Sequence, residues 1–230
     1  MYSNDRLIIL DADGTTVDAF SAIDRTFALH DMDIGPLTGF QKRRHVFKYL
    51  GGVKEFPRNL RKQFARAKRS RLIATLTDIY REEGHLYEGM AQLLERLTDQ
   101  PGLRVGIVTR NITRDPVATL ETLFRREGFD PARFHFLVHL PLALEKLDAF
   151  RAVRAQFEVN PALAFACGDE ARDYQAAVGA GLQPFIVSYG FEDFERLTVR
   201  HGIPEELISR SPADLAARLL HALGLAGAPA

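Results

Sequence analysis

Two carboxylates stand close together near the start of the chain, where a buried strand is predicted to end. Asp11 and Asp13 belong to the sequence DADGT (residues 11–15), which directly follows the apolar run RLIIL (residues 6–10). Like charges repel and burial disfavours their ionisation, so such a pair is costly unless a cation joins it. Oxygen ligands in an open site suit Mg²⁺. The residue types alone also fit a polar turn that caps a helix.

A hydroxyl, a guanidinium and an amide follow a second apolar run. Thr109, Arg110 and Asn111 come in succession after residues 103–108. The Thr109 hydroxyl, together with backbone N–H groups of the loop, could hold an oxygen on which negative charge develops. A loop that caps a helix uses the same residue types, so both interpretations stay open for this cluster taken alone.

One lysine is exceptional in an arginine-rich part of the chain. From residue 69 to the end there are 17 arginines and a single lysine, Lys146. An ammonium group is a compact point charge, and this suits a position among carboxylates and phosphate oxygens better than a planar guanidinium does. The alternative is an exposed lysine at the start of a helix.

The fourth cluster is acidic. The sequence GDEARD (residues 168–173) follows the apolar run 162–167 and contains Asp169 and Asp173. If a helix begins there, residues four apart lie on the same side of it. Acidic residues also stabilise helix N-termini, which is the alternative role for either of them. The single cysteine, Cys167, is expected to be a small buried core residue rather than a nucleophile.

The elements that must position these clusters form an alternating pattern. Apolar runs typical of buried strands cover residues 6–10, 103–109, 134–140, 162–167 and 184–188. Apolar residues at helical spacing lie between them. Strand alternating with helix predicts an α/β fold with a parallel sheet covered by helices on both faces. Because open parallel sheets bind ligands at the carboxyl ends of their strands, the four clusters should meet at one edge.

Residues 20–84 interrupt the alternation. This stretch has no convincing strand, but Leu72, Leu76, Ile79 and Tyr80 mark a long amphipathic helix that is predicted to begin near Pro57. We therefore expect a core domain made of residues 1–18 and 87–230, and a helical domain, residues 19–86, inserted into it.

The net charge of zero conceals an uneven distribution. Residues 41–71 contain 12 Lys and Arg and one acid, Glu55, for a local charge of +11, and the rest of the chain carries −11. A basic segment in an otherwise acidic chain indicates an anionic partner. That partner is a phosphate ester, a nucleic acid or an acidic surface of the rest of the same chain. A solvated basic helix face would give the same pattern.

The composition also argues against several classes of protein. The hydrophobic fraction of 46% is enough for a folded core. No apolar run approaches the roughly 18 residues that a membrane span needs, and the first residues lack the basic and apolar regions of a signal peptide. One cysteine cannot form an internal disulfide. We therefore expect a cytoplasmic protein with no membrane partner.

Taken in order, the clusters resemble the motifs of the haloacid dehalogenase (HAD) superfamily, in particular its phosphoglycolate phosphatase and β-phosphoglucomutase-like members. DADGT (11–15) resembles the first motif, Thr109 the second, Lys146 the third and GDEARD (168–173) the fourth. The resemblance covers nearly the whole chain. It implies a Rossmann-like parallel sheet with helices on both faces, the HAD-like core, plus a small α-helical cap domain inserted after the first strand, where residues 19–86 lie.

The resemblance implies a Mg²⁺-dependent phosphohydrolase that cleaves a small phosphate monoester. Asp11 would attack phosphorus and become an aspartyl-phosphate. Asp13 would protonate the leaving oxygen and then take a proton from the hydrolytic water. Mg²⁺ would be held by the Asp11 carboxylate, the Asp13 backbone carbonyl and Asp169, and would offset the repulsion between nucleophile and phosphate.

The remaining motif residues would bind and orient. Thr109 and Lys146 would bind the transferred oxygens, and Asp173 would orient Lys146 or a water on the metal. Arg110 and Asn111 are expected to contact the substrate. Arg110 stands where the family commonly has a small or amide residue, so a second anionic group on the substrate is its expected partner.

Two alternatives to a phosphatase stay open. The sequence GTTVD (14–18) resembles phosphonoacetaldehyde hydrolases, which cleave a C–P bond and require a Schiff-base lysine from the cap. Lys42, Lys48 and Lys54 are available, but the family branch typically has Ala where Asp13 stands. A non-catalytic protein could instead bind an anion or nucleic acid through the basic insertion.

The expected partner is a small phosphorylated metabolite. We do not expect nucleic acid, because the basic segment contains few aromatic residues among its cations. A monomer or a homodimer is expected for the chain itself.

Overall fold

A computed structural model describes residues 2–43 and 66–226 of the chain. Within these residues six parallel strands form one sheet, with the bounds β1 Arg6–Leu10, β2 Leu103–Thr109, β3 Phe136–His139, β4 Ala164–Gly168, β5 Gln183–Val187 and β6 Ile208–Ser209. Their order across the sheet is β3-β2-β1-β4-β5-β6. The predicted α/β class and parallel sheet are confirmed.

Helices surround the sheet. Their bounds are α1 Ala19–Ala28, α2 Leu37–Arg43, α3 Arg66–Glu82, α4 Met90–Thr98, α5 Pro116–Arg126, α6 Leu147–Gln156, α7 Ala171–Ala180 and α8 Pro212–Ala222. Across the described ranges, none of the helices has both the length and the apolar character to cross a bilayer. Some sequence predictions concern residues outside those that the structure describes. They are the helix start near Pro57, two of the candidate lysines (Lys48 and Lys54) and the side chain of Lys42.

The sheet is covered on both faces, as the continuous apolar strands predict. In β1, Ile8 and Leu10 join one hydrophobic cluster, while Leu7 and Ile9 join another on the opposite face. This division follows from the two-residue period of a strand. All four side chains are fully buried, which is typical of the central strand of a parallel sheet.

The register of the central strands brings the predicted clusters to one edge. Leu10 at the end of β1 is level with Ile107 of β2 and with Cys167 of β4. Asp11, Thr109 and Asp169 therefore lie where these three neighbouring strands end. This is the edge at which open parallel sheets bind their ligands.

The described part of the inserted segment packs against the core. Helix α3 contacts α1 and α5, and its Leu72, Leu76, Ile79 and Tyr80 are buried in the same cluster as Ile8 and Leu10. The helical period predicted from the sequence thus marks the buried face of α3. The division into a core and a cap at residues 19–86 stays a prediction.

One strand was missed by the sequence pattern. Strand β6 has two residues, Ile208 and Ser209, which pair with Ile186 and Val187 of β5. A run this short shows neither alternation nor an apolar stretch, so only the packing of the chain against β5 defines it.

Candidate active site

Lys146 lies between two carboxylates at the carboxyl edge of the sheet. Its Nζ is 2.7 Å from Asp11 Oδ2 and 2.8 Å from Asp173 Oδ1. Lys146 itself is only 2% exposed, and both carboxylates are buried. Lys146 precedes α6, Asp173 is in the first turn of α7, and Asp11 follows β1. The structure thus brings the first, third and fourth predicted clusters together.

Charge attraction opposes the effect of burial on the ionisation of these three side chains. Burial alone would lower the pKa of Lys146, but Asp11 and Asp173 raise it above its ordinary value. Burial would likewise raise the pKa of Asp173, yet Lys146 holds it below the ordinary range. For Asp11, desolvation outweighs Lys146 and raises the pKa to about 7. Charge attraction thus outweighs burial for Lys146 and Asp173, but not for Asp11.

The loop after β1 is a tight turn built on Ala12. The backbone N–H groups of Thr16 and Val17 donate to the Ala12 carbonyl oxygen at 3.0 and 2.9 Å, and the Ala12 N–H donates to Asp11 Oδ1 at 2.8 Å. Gly14 has φ +79°, and a Cβ at this position would lie 2.2 Å from Asp169 Oδ2. The turn therefore brings the backbone at Gly14 closer to the Asp169 carboxylate than a residue with a Cβ would permit.

Asp169 is fully buried and has an incomplete set of partners. Its Oδ2 accepts a hydrogen bond from the Phe191 N–H at 2.6 Å, whereas Oδ1 has no hydrogen-bond partner among the described residues. Burial raises the pKa of Asp169 well above its ordinary value, and Glu170 and Asp11 add to this. A buried oxygen without a partner destabilises the fold unless a cation or donor binds it.

The acidic cluster fits a metal ion. Oxygens of Asp11, Asp169 and Asp173 lie within 4.8 Å of one another. Both Asp173 oxygens already have partners, because Oδ1 contacts Lys146 and Oδ2 accepts from the Glu170 N–H at 3.1 Å. Oδ1 of Asp169 and Oδ1 of Asp173 both lack a hydrogen-bond partner among the described residues, but the Asp173 oxygen has the ion pair with Lys146. An arrangement of carboxylate oxygens with one left unsatisfied is suited to a hard cation.

The Asp13 side chain stands outside this acidic cluster and has neutral partners. Its Oδ1 accepts from the Tyr80 hydroxyl at 2.8 Å and from Asn111 Nδ2 at 3.0 Å. Its Oδ2 is 3.1 Å from the same Asn111 nitrogen. Burial raises the pKa of Asp13, while these two hydrogen bonds oppose the rise. Burial also raises the pKa of Tyr80, so the phenol remains a donor.

Asn111 was predicted to bind substrate, but its amide contacts lie within the protein. Nδ2 donates to Asp13, and Oδ1 accepts from the Thr113 N–H at 2.9 Å. Thr109, at the end of β2, is fully buried and its Oγ1 accepts from the Asn111 N–H at 3.2 Å. The second cluster is thus a hydrogen-bonded loop beside Asp13, and direct substrate contact by Asn111 stays a prediction.

Arg110, which was predicted to contact the substrate, is buried and paired with an acid of the protein. It is 8% exposed, and its Nη2 forms an ion pair with Glu170. Its Nε and Nη1 have no hydrogen-bond partner in the part of the chain that the structure describes. Burial alone would lower the pKa of Arg110, but Glu170 raises it, so the guanidinium stays charged.

Three residues that shape the site were missed from the sequence. Tyr80 was recognised only as an apolar position of α3, because helical periodicity indicates a buried face but not the partner of a hydroxyl. Glu170 was recognised only within an acidic run. Glu192 is fully buried, where it accepts from the Ala171 N–H at the start of α7 and from Arg196 Nε at 3.1 Å. Its position in the sequence carries no signal of this role.

Comparison with solved structures supports the fold. A protein from Lactobacillus delbrueckii subsp. bulgaricus, assigned as a phosphoglycolate phosphatase, is 16% identical, with 95% of this chain and 99% of that chain covered and a TM-score of 0.62. A protein from Thermotoga maritima assigned as a β-phosphoglucomutase is 16% identical, with 94% and 99% covered and a TM-score of 0.61. CbbY from Rhodobacter sphaeroides, solved with phosphate, is 22% identical, with 83% and 89% covered and a TM-score of 0.58.

Comparison of sequences identifies the family. No curated protein sequence matches the chain significantly. The sequence model of the haloacid dehalogenase-like hydrolases matches residues 6–181, which is more than half of the chain and includes all four motif clusters. The chain therefore belongs to the haloacid dehalogenase-like hydrolase family.

Proposed function

We propose that this protein is a Mg²⁺-dependent phosphatase that hydrolyses a small phosphate monoester through an aspartyl-phosphate on Asp11. The observation that carries the proposal is the contact of Lys146 with both Asp11 and Asp173, beside an Asp169 oxygen that lacks a partner. A charged lysine and a cation site next to one carboxylate are what a nucleophile needs to approach a phosphate dianion.

In the first step, an ionised Asp11 oxygen attacks phosphorus and the bond to the leaving oxygen breaks. Asp13 gives its proton to that leaving oxygen, which departs as an alcohol. Lys146 stabilises the phosphoryl oxygens, and the Thr109 hydroxyl contributes a further donor. Asp173 keeps Lys146 in place through the 2.8 Å contact.

In the second step, Asp13 acts as the base. It takes a proton from a water molecule whose oxygen attacks phosphorus, and the bond between phosphorus and Asp11 breaks. Phosphate leaves, Asp11 is regenerated as a carboxylate, and Asp13 is again protonated. One residue serves both proton transfers because leaving group and water occupy the same side of the phosphoryl group.

The metal site is proposed at the acidic cluster. Asp11, Asp169 and the backbone carbonyl of Asp13 would hold Mg²⁺, which supplies positive charge that neutralises the phosphoryl oxygens. The unpartnered Oδ1 of Asp169 supports this assignment. Asp173 is assigned to Lys146, which its Oδ1 contacts at 2.8 Å, while its Oδ2 accepts from the Glu170 N–H at 3.1 Å.

A small phosphorylated metabolite with a second anionic group is the proposed substrate. Two buried nitrogens of Arg110 without partners support an anion partner beyond Glu170. A mutant of CbbY from Rhodobacter sphaeroides was solved with xylulose 1,5-bisphosphate, a molecule with two phosphates. The inserted residues 19–86 are proposed to act as a cap that closes over a ligand of this size.

The test is hydrolysis of p-nitrophenyl phosphate with and without Mg²⁺ by the wild type and by Asp11→Asn. We expect turnover that requires Mg²⁺ and falls by at least about a thousandfold in the variant, because the amide is a far weaker nucleophile. Equal rates in the two proteins would refute the assignment of Asp11. Release of phosphate from phosphonoacetaldehyde, with no hydrolysis of phosphate esters, would favour C–P bond cleavage instead.

A further inference from the structure

The acid–base candidate is hydrogen-bonded to a helix of the inserted segment. The Tyr80 hydroxyl, near the end of α3, donates to Asp13 Oδ1 at 2.8 Å. The two residues are 67 positions apart, so this contact joins the segment between β1 and β2 to the first motif. Tyr80 itself lies outside the four motif clusters that were identified from the sequence.

The position of the Tyr80 hydroxyl is fixed by its surroundings. Its side chain is 2% exposed and is packed in the large hydrophobic cluster with Phe27, Leu76 and Ile79. Helix α3 packs against both α1 and α5. A buried ring on a packed helix loses little entropy when its hydroxyl binds a partner, so the hydrogen bond can fix the orientation of that partner.

The two carboxylate oxygens of Asp13 have different hydrogen-bond donors. Oδ1 accepts from both Tyr80 and Asn111, whereas Oδ2 has, among the described residues, only the same Asn111 nitrogen at 3.1 Å. An oxygen that already accepts two hydrogen bonds is the poorer site for a proton. Oδ2 is therefore the oxygen that the described residues leave more accessible to a leaving group, and the donors on Oδ1 determine the direction in which it points.

We propose that Tyr80 is a positioning residue that orients Asp13 for proton transfer to the leaving oxygen. The inference rests on the proposed phosphatase function and adds to it a residue from the inserted segment. Its consequence is that proton transfer depends on the placement of α3 as well as on the core motifs. Tyr80 acts through Asp13 and has no proposed contact with the substrate.

The leaving group provides the test. A series of substituted phenyl phosphates, from p-nitrophenyl to phenyl to p-methoxyphenyl, keeps the size of the substrate nearly constant while the leaving oxygen becomes more basic. p-Nitrophenolate departs without much help from an acid, whereas the more basic phenolates need the proton as the bond breaks. The measured quantity is kcat/KM, which includes steps only up to the departure of the first product, so hydrolysis of the aspartyl-phosphate does not enter.

Tyr80→Phe removes the hydroxyl and keeps the ring. We expect kcat/KM to fall by less than about threefold for p-nitrophenyl phosphate and by at least about tenfold for phenyl and p-methoxyphenyl phosphate. A purely structural role would lower all three by the same factor. Equal losses across the series, or no loss for any ester, would overturn the inference.

The matched control is Tyr189→Phe. The Tyr189 hydroxyl is also part-buried and donates to a backbone oxygen, that of Thr15, at 3.0 Å. It has no described contact with Asp13, so we expect no dependence on the leaving group. Thermal unfolding of both variants checks that they are folded. A wild type inactive on every ester would refute the proposed function and this inference together, whereas an active wild type with an unselective Tyr80→Phe refutes the inference alone.

Discussion

At the scale of single residues, the Asp169 carboxylate occupies the space that a Cβ would need at Gly14. Gly14 combines φ +79° with a Cα so close to the carboxylate that a Cβ would lie 2.2 Å from Asp169 Oδ2. Gly190 is close to both residues, because a Cβ there would lie 2.3 Å from the Gly14 carbonyl oxygen and 2.5 Å from Asp169 Oδ2. The Asp169 carboxylate thus packs closely against the backbone at two glycines, and this restricts where the proposed metal ligand lies.

Gly14→Ala is expected to displace Asp169 and to lower kcat by at least about a hundredfold, because the Cβ must push the carboxylate aside. Gly89→Ala is the matched control. Gly89 has the same φ of +79°, but a Cβ there meets nothing within 4 Å in the described structure. In both variants an alanine must adopt a left-handed backbone conformation, which costs about 1–2 kcal/mol of stability. Urea unfolding measures this shared loss of stability. Steady-state kinetics measures the loss of kcat that we expect for Gly14→Ala alone. Similar kcat values for the two variants would contradict the argument.

At the scale of elements, a helix of the inserted segment is attached to the loop after β5. Gln41 in α2 is 5% exposed, and its Nε2 donates to the Gly190 carbonyl oxygen at 2.7 Å. In the next residue of that loop, the Phe191 N–H donates to Asp169 at 2.6 Å. The Phe40 and Phe191 rings lie 6.1 Å apart. Helix α2 therefore supports the loop that holds the candidate metal ligand.

Gln41→Ala is expected to lower the free energy of unfolding by about 1–3 kcal/mol, because the Gly190 carbonyl oxygen loses a buried donor. Gln183→Ala provides the comparison. The Gln183 side chain also donates to a backbone oxygen, that of Ala162, but at an exposed position where water replaces it. We expect that variant to stay within about 0.5 kcal/mol of the wild type in chemical denaturation. A loss of equal size in both would argue against the role of α2.

At the scale of the whole molecule, the ends of neighbouring strands concentrate negative charge at one edge of the sheet. Asp11, Asp169 and Asp173 lie within 4.8 Å of one another, and Lys146 balances part of their charge. The fold tolerates this cluster at a cost in stability, because the buried acids repel each other. A cation that binds only the folded state removes that repulsion and stabilises the protein.

Mg²⁺ at about 100 times Kd is expected to raise the melting temperature of the wild type by about 5–10 °C, since it contributes about 2.7 kcal/mol and each kcal/mol shifts a chain of this size by roughly 2–4 °C. In Asp169→Asn the shift should disappear, while the metal-free protein should be at least as stable as the wild type, because the substitution removes a carboxyl group whose ionised form is disfavoured by burial. Asp148→Asn is the control, because that carboxylate is 96% exposed. An undiminished Mg²⁺ shift in Asp169→Asn would place the metal elsewhere.

The sequence by itself determined the strands that carry the site and the acidic and basic residues at their ends. Continuous apolar runs predicted β1, β2 and β4, because strands buried on both faces have little room for polar residues. The rule that ligands bind at the carboxyl edge then predicted that Asp11, Lys146 and Asp169 meet there. These inferences depend on local patterns, which a sequence displays directly.

Only the tertiary structure decided which polar atoms become partners. Tyr80 and Asp13 are 67 residues apart, and Gln41 and Gly190 are 149 apart. Periodicity predicts that the Tyr80 ring is buried, but the atom that its hydroxyl reaches depends on how α3 packs against the core. The same holds for Arg110, whose pairing with Glu170 joins the loops after two different strands. A hydrogen bond needs placement to within a few tenths of an ångström, and that precision arises from packing rather than from any spacing along the chain.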